Sequence, residues 1–228
     1  EGQEPLYKTG QVRWFQKPKK DRMYVVALDP SLGTGGDPAA IQVFEADTTE
    51  QIGEWRHNRT DIPTQVRILA DICRHINETV DDPESIYFSV ENNTIGEAAL
   101  ISIAEYGEEN IPGYFLSEPG GTGGRRYRKG FNTSHKPKLA ACNKLKTLIE
   151  SGRMKIRSPN LVSELKTFVA FGTSYAAKPG ETDDLVMACI LAVRMMQLLQ
   201  TYHPEMDSQM RDHGDVIIAP MPFISTIR

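Results

Sequence analysis

The sequence predicts an α/β fold in which a mixed β-sheet is flanked by α-helices, and three observations carry that expectation. Two short apolar runs, 23–29 (MYVVALD) and 85–91 (SIYFSVE), have the length and composition of buried strands, and each ends in a carboxylate. Three strands come early, and helical and extended patterns then alternate. A long apolar segment from Asp183 to about Leu199 closes the pattern as a helix. Early strands followed by alternating elements pack most simply as one sheet with helices against it.

Each element has a local reason. Residues 1–20 carry no strong period and read as an arm or linker. After the strand ending at Asp29 and Pro30, Ser31 to Asp37 (SLGTGGD) is a glycine-rich turn, and 39–44 and 52–57 are further strands. Asp61 can cap a helix whose apolar face is Val66, Leu69, Ile72, Cys73, Ile76 and Val80. The strand 85–91 is followed by Asn92 and Asn93, a helix over 96–106 and a short strand at 113–116. Residues 120–130 are too rich in glycine and charge for a regular element and read as a flexible loop. A helix from Lys136 or Pro137 to Glu150, a strand at 154–157 and a helix over 161–167 capped by Asn160 come next. A hairpin over 168–177 and a final helix capped by Thr182 complete the series. The expected organisation is an arm (1–20), one main domain (21–202) and a tail (203–228) packed on it.

Composition sets the class. The 228 residues are 39% hydrophobic and 25% charged, with net charge −4, as expected of a soluble globular domain. No uninterrupted apolar run approaches the roughly 20 residues of a membrane span, and no signal-peptide pattern is present. The first residue is not Met, which suggests an excised or processed chain. Cys73, Cys142 and Cys189 are widely spaced without a CxxC pair, so reduced thiols are expected and a zinc site is not. The five histidines have no ligand spacing. The glycine-rich turn lacks the lysine of a GxxxxGK[ST] phosphate loop, and Ala40 stands where a calcium loop would need its closing Glu.

Charge is distributed unevenly. Between Arg125 and Lys155 lie ten Lys or Arg and one acid, Glu150. Arg125, Arg126, Arg128, Lys129, Lys136 and Lys138 are the candidate phosphate contacts, although a solvated charged face would look the same. Acids stand elsewhere, at the ends of elements: Asp29, Glu91, and the pair Asp183 and Asp184 opening the last helix. Singly, each has a bland reading as a turn former, an arginine partner or a helix-dipole acid. Brought together, they would repel and raise one another's pKa unless divalent cations joined them, and hard oxygen donors favour Mg²⁺ or Mn²⁺. Two such ions would suit hydrolysis of a phosphodiester. Asp29 is the candidate bridging ligand, with Glu91 and Asp184 on separate ions and Asp183 an added ligand or an alternative to Asp184.

The stretches ALDPSLGTGGD (27–37), SVENN (89–93) and GETDDLVMA (180–188) resemble, in order and spacing, the three acidic motifs of the nuclease domain of large terminases from T4-like tailed phages. GFNTSHKPKL (130–139) is similar to that family's intervening basic segment. The resemblance covers about residues 20–200 and implies a ribonuclease H-like fold. It implies a metal-dependent endodeoxyribonuclease that cuts concatemeric viral double-stranded DNA during genome packaging in the cytoplasm of an infected bacterium. Asp29, Glu91 and one of Asp183 or Asp184 carry over as catalytic metal ligands, and Asp37 as a possible supporting acid. The implied partners are an N-terminal ATPase domain, the portal and the small terminase, with no membrane. Weak sequence preference is expected, because backbone contacts carry little sequence information. Two other readings stand beside this one: an actin-like-fold phosphotransferase using the glycine-rich turn, and a non-catalytic DNA-binding module.

Overall fold

The computed structural model describes residues 2–119, 129–172 and 174–203. A seven-stranded mixed sheet has the order β1-β2-β5-β4-β3-β6-β7. Its strands are β1 (Tyr7–Thr9), β2 (Val12–Trp14), β3 (Tyr24–Asp29), β4 (Ala39–Glu45), β5 (Glu50–His57), β6 (Ile86–Val90) and β7 (Tyr114–Phe115). β3 pairs antiparallel with β4 and parallel with β6. A separate hairpin joins β8 (Phe168–Phe171) to β9 (Ser174–Ala177).

β3 is buried on both faces, so it reads as a continuous apolar run rather than an alternation. The strand period of two sends Val26 and Leu28 to one face and Val25 and Ala27 to the other. The first face is covered by α1 (Ile62–Val80) and α2 (Thr94–Tyr106). The second is covered by α3 (His135–Glu150), α4 (Pro159–Thr167) and α5 (Asp184–Tyr202). α5 is long and apolar enough to cross a membrane, yet it lies buried against β3 and β4 as a core helix. The three cysteines are free and buried.

The α/β sandwich agrees with the expected fold class, and several boundaries need correction. The segment expected to be an arm supplies β1 and β2, which extend the sheet beyond β5. Trp14 is fully buried there, stacked on Tyr7 and tilted against His75, and Gly53 opposite leaves room for its ring. Residues 154–157 form no strand but a single bridge, Glu50 to Lys155. α4 is capped by Ser158, whose hydroxyl accepts from the Leu161 N–H, and not by Asn160. Ser158 also donates to the fully buried Glu54 on β5 at 2.6 Å, which pins the start of α4 to the sheet. The loop expected at 120–130 lies outside the described residues up to 128, and so does the tail after His203.

Because Trp14 belongs to the core, Trp14→Ala is expected to destabilise the chain by roughly 3–5 kcal/mol in urea unfolding, the usual cost of a buried large-to-small change. A solvated arm would give a change near zero.

Candidate functional site

Parallel pairing brings the two strand-end acids together. Leu28 on β3 is registered with Val90 on β6, and the Glu91 N–H donates to the Leu28 carbonyl at 3.1 Å. Asp29 and Glu91 are the next residues along each strand. Asp29 continues the face of Val25 and Ala27, and Glu91 the face of Tyr87, so both turn toward α5. Their carboxyls lie within hydrogen-bonding reach of each other. Burial, then this contact, then the charges of Asp184 and Asp183 raise the pKa of Asp29 well above the usual carboxylate range.

The backbone on either side is fixed. Behind Asp29, the buried Gln65 of α1 receives the Ser31 N–H and donates to the carbonyls of Ser31 and Thr60, both at 2.7 Å. Gly33, at φ +71°, packs so closely on Thr60 that a Cβ would stand 2.2 Å from its carbonyl oxygen. Gly35 donates its N–H to the Asn58 carbonyl. The glycine-rich turn therefore spends this N–H on its neighbour rather than offering it to a nucleotide phosphate, which weakens the phosphotransferase reading. Beyond Glu91, Asn92 donates to the Lys129 carbonyl at 2.7 Å, and Asn93 caps α2 while its amide donates to Glu91 at 3.4 Å.

α5 delivers the other two acids. Asp183 is its N-cap residue, and its side chain accepts from the Ala177 N–H of β9. The capping acceptor is not Thr182, as the sequence reading had it, but Glu164 of α4, which takes the Val186 N–H at 3.1 Å. Glu164 is in turn held by Arg56 at 2.6 Å and by the Thr182 hydroxyl. Asp184 is buried, and its pKa rises to about 7 through burial first and then the charges of Glu164 and Asp183, with a smaller effect from the exposed Asp37.

Asp29 thus lies within electrostatic reach of Glu91, Asp184 and Asp183. Among the described residues no group of three or more acidic, histidine or cysteine side chains is arranged so that it could hold a metal ion. No lysine or arginine among them makes a salt bridge to Asp29, Glu91, Asp183 or Asp184. In donor chemistry the set still suits a hard divalent ion: all its donors are oxygens, and the pKa values of Asp29 and Asp184 are raised with no salt-bridged cation beside them.

The expected basic contacts divide. Arg125, Arg126 and Arg128 lie outside the described residues. Lys129 is paired with Glu108 and lies over the Phe115 ring, 4.6 Å from its centroid, so its charge is engaged away from the acids. Lys136 is exposed and Lys138 half-buried at the start of α3.

Arg194 escaped the sequence reading. It is 9% exposed on α5, stacks over Phe131 and donates to the Asn132 carbonyl and to Glu118, at 3.0 and 2.5 Å. Phe131 bridges to Glu91: its N–H donates to Val90, and its carbonyl accepts from Asn92. Arg194 therefore ties α5 to the segment that flanks Glu91. A lone arginine on an apolar helix face was the available signal.

Residues 26–196 match the family described as the terminase RNaseH-like domain. Solved structures similar in fold include the large terminase nuclease from thermophilic phage G20c with bound magnesium, at 17% identity and TM-score 0.63, covering 85% of this chain and 92% of that one. The large terminase nuclease domain of Thermus phage P74-26 is similar at 18% identity and TM-score 0.59, covering 84% and 88%.

Two predictions follow from the geometry. In EDTA the fold holds protons on Asp29 and Asp184 that the unfolded chain would release, so stability should fall as pH rises from about 4, the unfolded carboxylate value, to about 7. Asp29→Asn should then melt higher than the parent chain at pH 7 in EDTA; an equal or lower melting temperature would contradict the charge repulsion. Arg194→Met should lower stability by roughly 1.5–3 kcal/mol, the range for hydrogen bonds to a charged group, as measured by urea unfolding.

Proposed function

The chain belongs to the terminase ribonuclease H-like domain family, and we propose that it is a metal-dependent endodeoxyribonuclease that cuts concatemeric viral double-stranded DNA during genome packaging. The observation that carries this reading is the contact of Asp29 with Glu91 at the ends of adjacent parallel strands, facing the acids of α5 without a described cation between them. Repelling carboxylates of this kind are stable in a working protein when divalent ions neutralise them.

Asp29, Glu91 and Asp184 would hold Mg²⁺ or Mn²⁺, with Asp183 as an added ligand. Two such ions, when bound, supply a deprotonated attacking water and stabilise the leaving 3′ oxygen. The chain's own residues do the positioning. Gln65 fixes the turn after Asp29, Asn93 holds Glu91, and Glu164 anchors the helix that carries Asp184. Asp37 adds negative charge at the rim. Arg125, Arg126, Arg128, Lys136 and Lys138 are assigned to the DNA backbone, and weak sequence preference follows, since phosphates carry no base identity. The similar large terminase nuclease of phage G20c has been solved with bound magnesium, which accords with this choice of ion. In a packaging complex the nuclease would work beside an ATPase domain, portal and small terminase, in the cytoplasm of the infected host.

Supercoiled plasmid incubated with the chain in Mg²⁺ or Mn²⁺ should be nicked and linearised, and EDTA should stop the reaction. Asp29→Asn, Glu91→Gln and Asp184→Asn should each remain folded and lose at least about 100-fold in rate, in the range of losing one main electrostatic contributor. DNA retarded in a gel but left intact by the parent chain would identify a binding module instead.

A further inference from the structure

The sheet brings a second set of cations to the same end as the acids. β5 runs parallel to β3, because each pairs antiparallel with the β4 between them, so the end of β5 at His57 lies at the same edge of the sheet as the end of β3 at Asp29. β2 runs antiparallel to β5, which puts the β1–β2 turn at that end too. Two depressions open there. One, of about 290 Å³, is lined by Pro38, Arg56, His57, Asn58 and Thr182, immediately before Asp183. The other, of about 390 Å³, is lined by Lys8, Gly10, Gln11, Arg13, Arg56, His57 and Asn160. They share Arg56 and His57 and so form one track leading from the acids toward the outer strands.

No carboxylate lines either depression. The acids that pair with the track's arginines lie beneath it. Glu54 holds Arg13 and Glu164 holds Arg56, with the carboxylate side chains 0% and 5% exposed against 25% and 31% for the guanidiniums. Asn160, turned so that its oxygen faces Arg13, braces that guanidinium further. His57 accepts the Arg59 N–H on Nδ1 at 3.2 Å, which puts its ring proton on Nε2 as a donor. Lys8 is exposed on β1. The result is a row of donors, two of them held rigid from below, with negative charge kept out of contact. A fork of this kind suits phosphate oxygens.

We infer that this track, Lys8 through Arg13, Arg56 and His57 to Thr182, seats the DNA phosphodiester backbone on the β5 side of the acidic site. The inference rests on the nuclease reading and adds a contact surface separate from the basic stretch 125–155. Arginine contacts prearranged by buried acids lose little side-chain freedom on binding, so the track sets where the backbone lies relative to Asp29 and Asp184.

The test uses the whole chain in EDTA, with labelled duplex DNA and fluorescence anisotropy over a series of salt concentrations. Arg13 and Arg56 are unsuitable targets, because removing either strands a buried carboxylate. Lys8→Glu changes an exposed residue, and Gln11→Glu keeps the acceptor for the Trp55 indole while adding charge. Each should weaken binding several-fold, and Lys8→Glu should reduce the slope of log affinity against log salt by about one. Lys20→Glu, at the opposite end of β3, matches the charge change of Lys8→Glu and should bind like the parent chain. Parental affinity and slope in both track variants, with a parent chain that still binds and cuts DNA, would overturn the track and leave the nuclease reading standing. An equal loss in Lys20→Glu would overturn it as a mere effect of net charge. A parent chain that neither binds nor cuts DNA would overturn both.

Discussion

Asp29 and Glu91 are held together against their own repulsion, and much of the surrounding structure serves to keep them there. Parallel pairing of β3 with β6 sets the separation, and strand alternation turns both side chains to the α5 face. Two carboxyls in partly desolvated contact disfavour the charged state and destabilise the metal-free fold near neutral pH. Such an arrangement persists only if the rest of the domain over-determines it. The apolar sheet interior and α5 supply that surplus, since β3 and β4 are buried on both faces.

The fold treats its acids in two different ways. Glu54, Glu164 and Glu50 lie in the interior or at its edge and each has an arginine or lysine partner. Asp29 and Glu91 have none among the described residues, and neither does Asp184. Paired acids join elements: Glu54 links β5 to β2 and to the start of α4, and Glu164 links α4 to α5. Asp29, Glu91 and Asp184 gather at one end of the sheet. That contrast separates a structural carboxylate from a candidate ligand better than burial does, because Glu164 and Asp184 are both buried and sit close enough to affect each other.

How much of this could be read from the sequence depended on the range of the interaction. Asp29 and Glu91 were legible because an apolar strand that stops at an acid is a local pattern, and the ends of parallel neighbours meet by construction. α5 was legible from its length and apolarity. The cap of α5 was not, because Glu164 lies 22 residues from Val186 and nothing local links them. Thr182 stands one residue before the N-cap Asp183, and its hydroxyl donates to Glu164. β1 and β2 were missed because three-residue strands have too few positions to show a period; their pairing onto β5 and the burial of Trp14 show that they belong to the sheet. Residues 154–157 failed in the other direction: an extended pattern was present, but a single bridge to Glu50 was all the partner it found.

Glu164 also shapes the surroundings of Asp184. An aspartate in the first turn of a helix is normally drawn to the unpaired N–H groups there, which lower its pKa and occupy its oxygens. Here Glu164 takes the Val186 N–H from the neighbouring helix, and Asp183 turns to the Ala177 N–H. Asp184 still accepts a backbone hydrogen bond from its own N–H, which lowers its pKa, but burial and the charges of Glu164 and Asp183 outweigh it and raise the pKa to about 7. For a buried acid with a raised pKa and no salt-bridged lysine or arginine among the described residues, a divalent cation is the kind of partner that offsets the cost of ionisation.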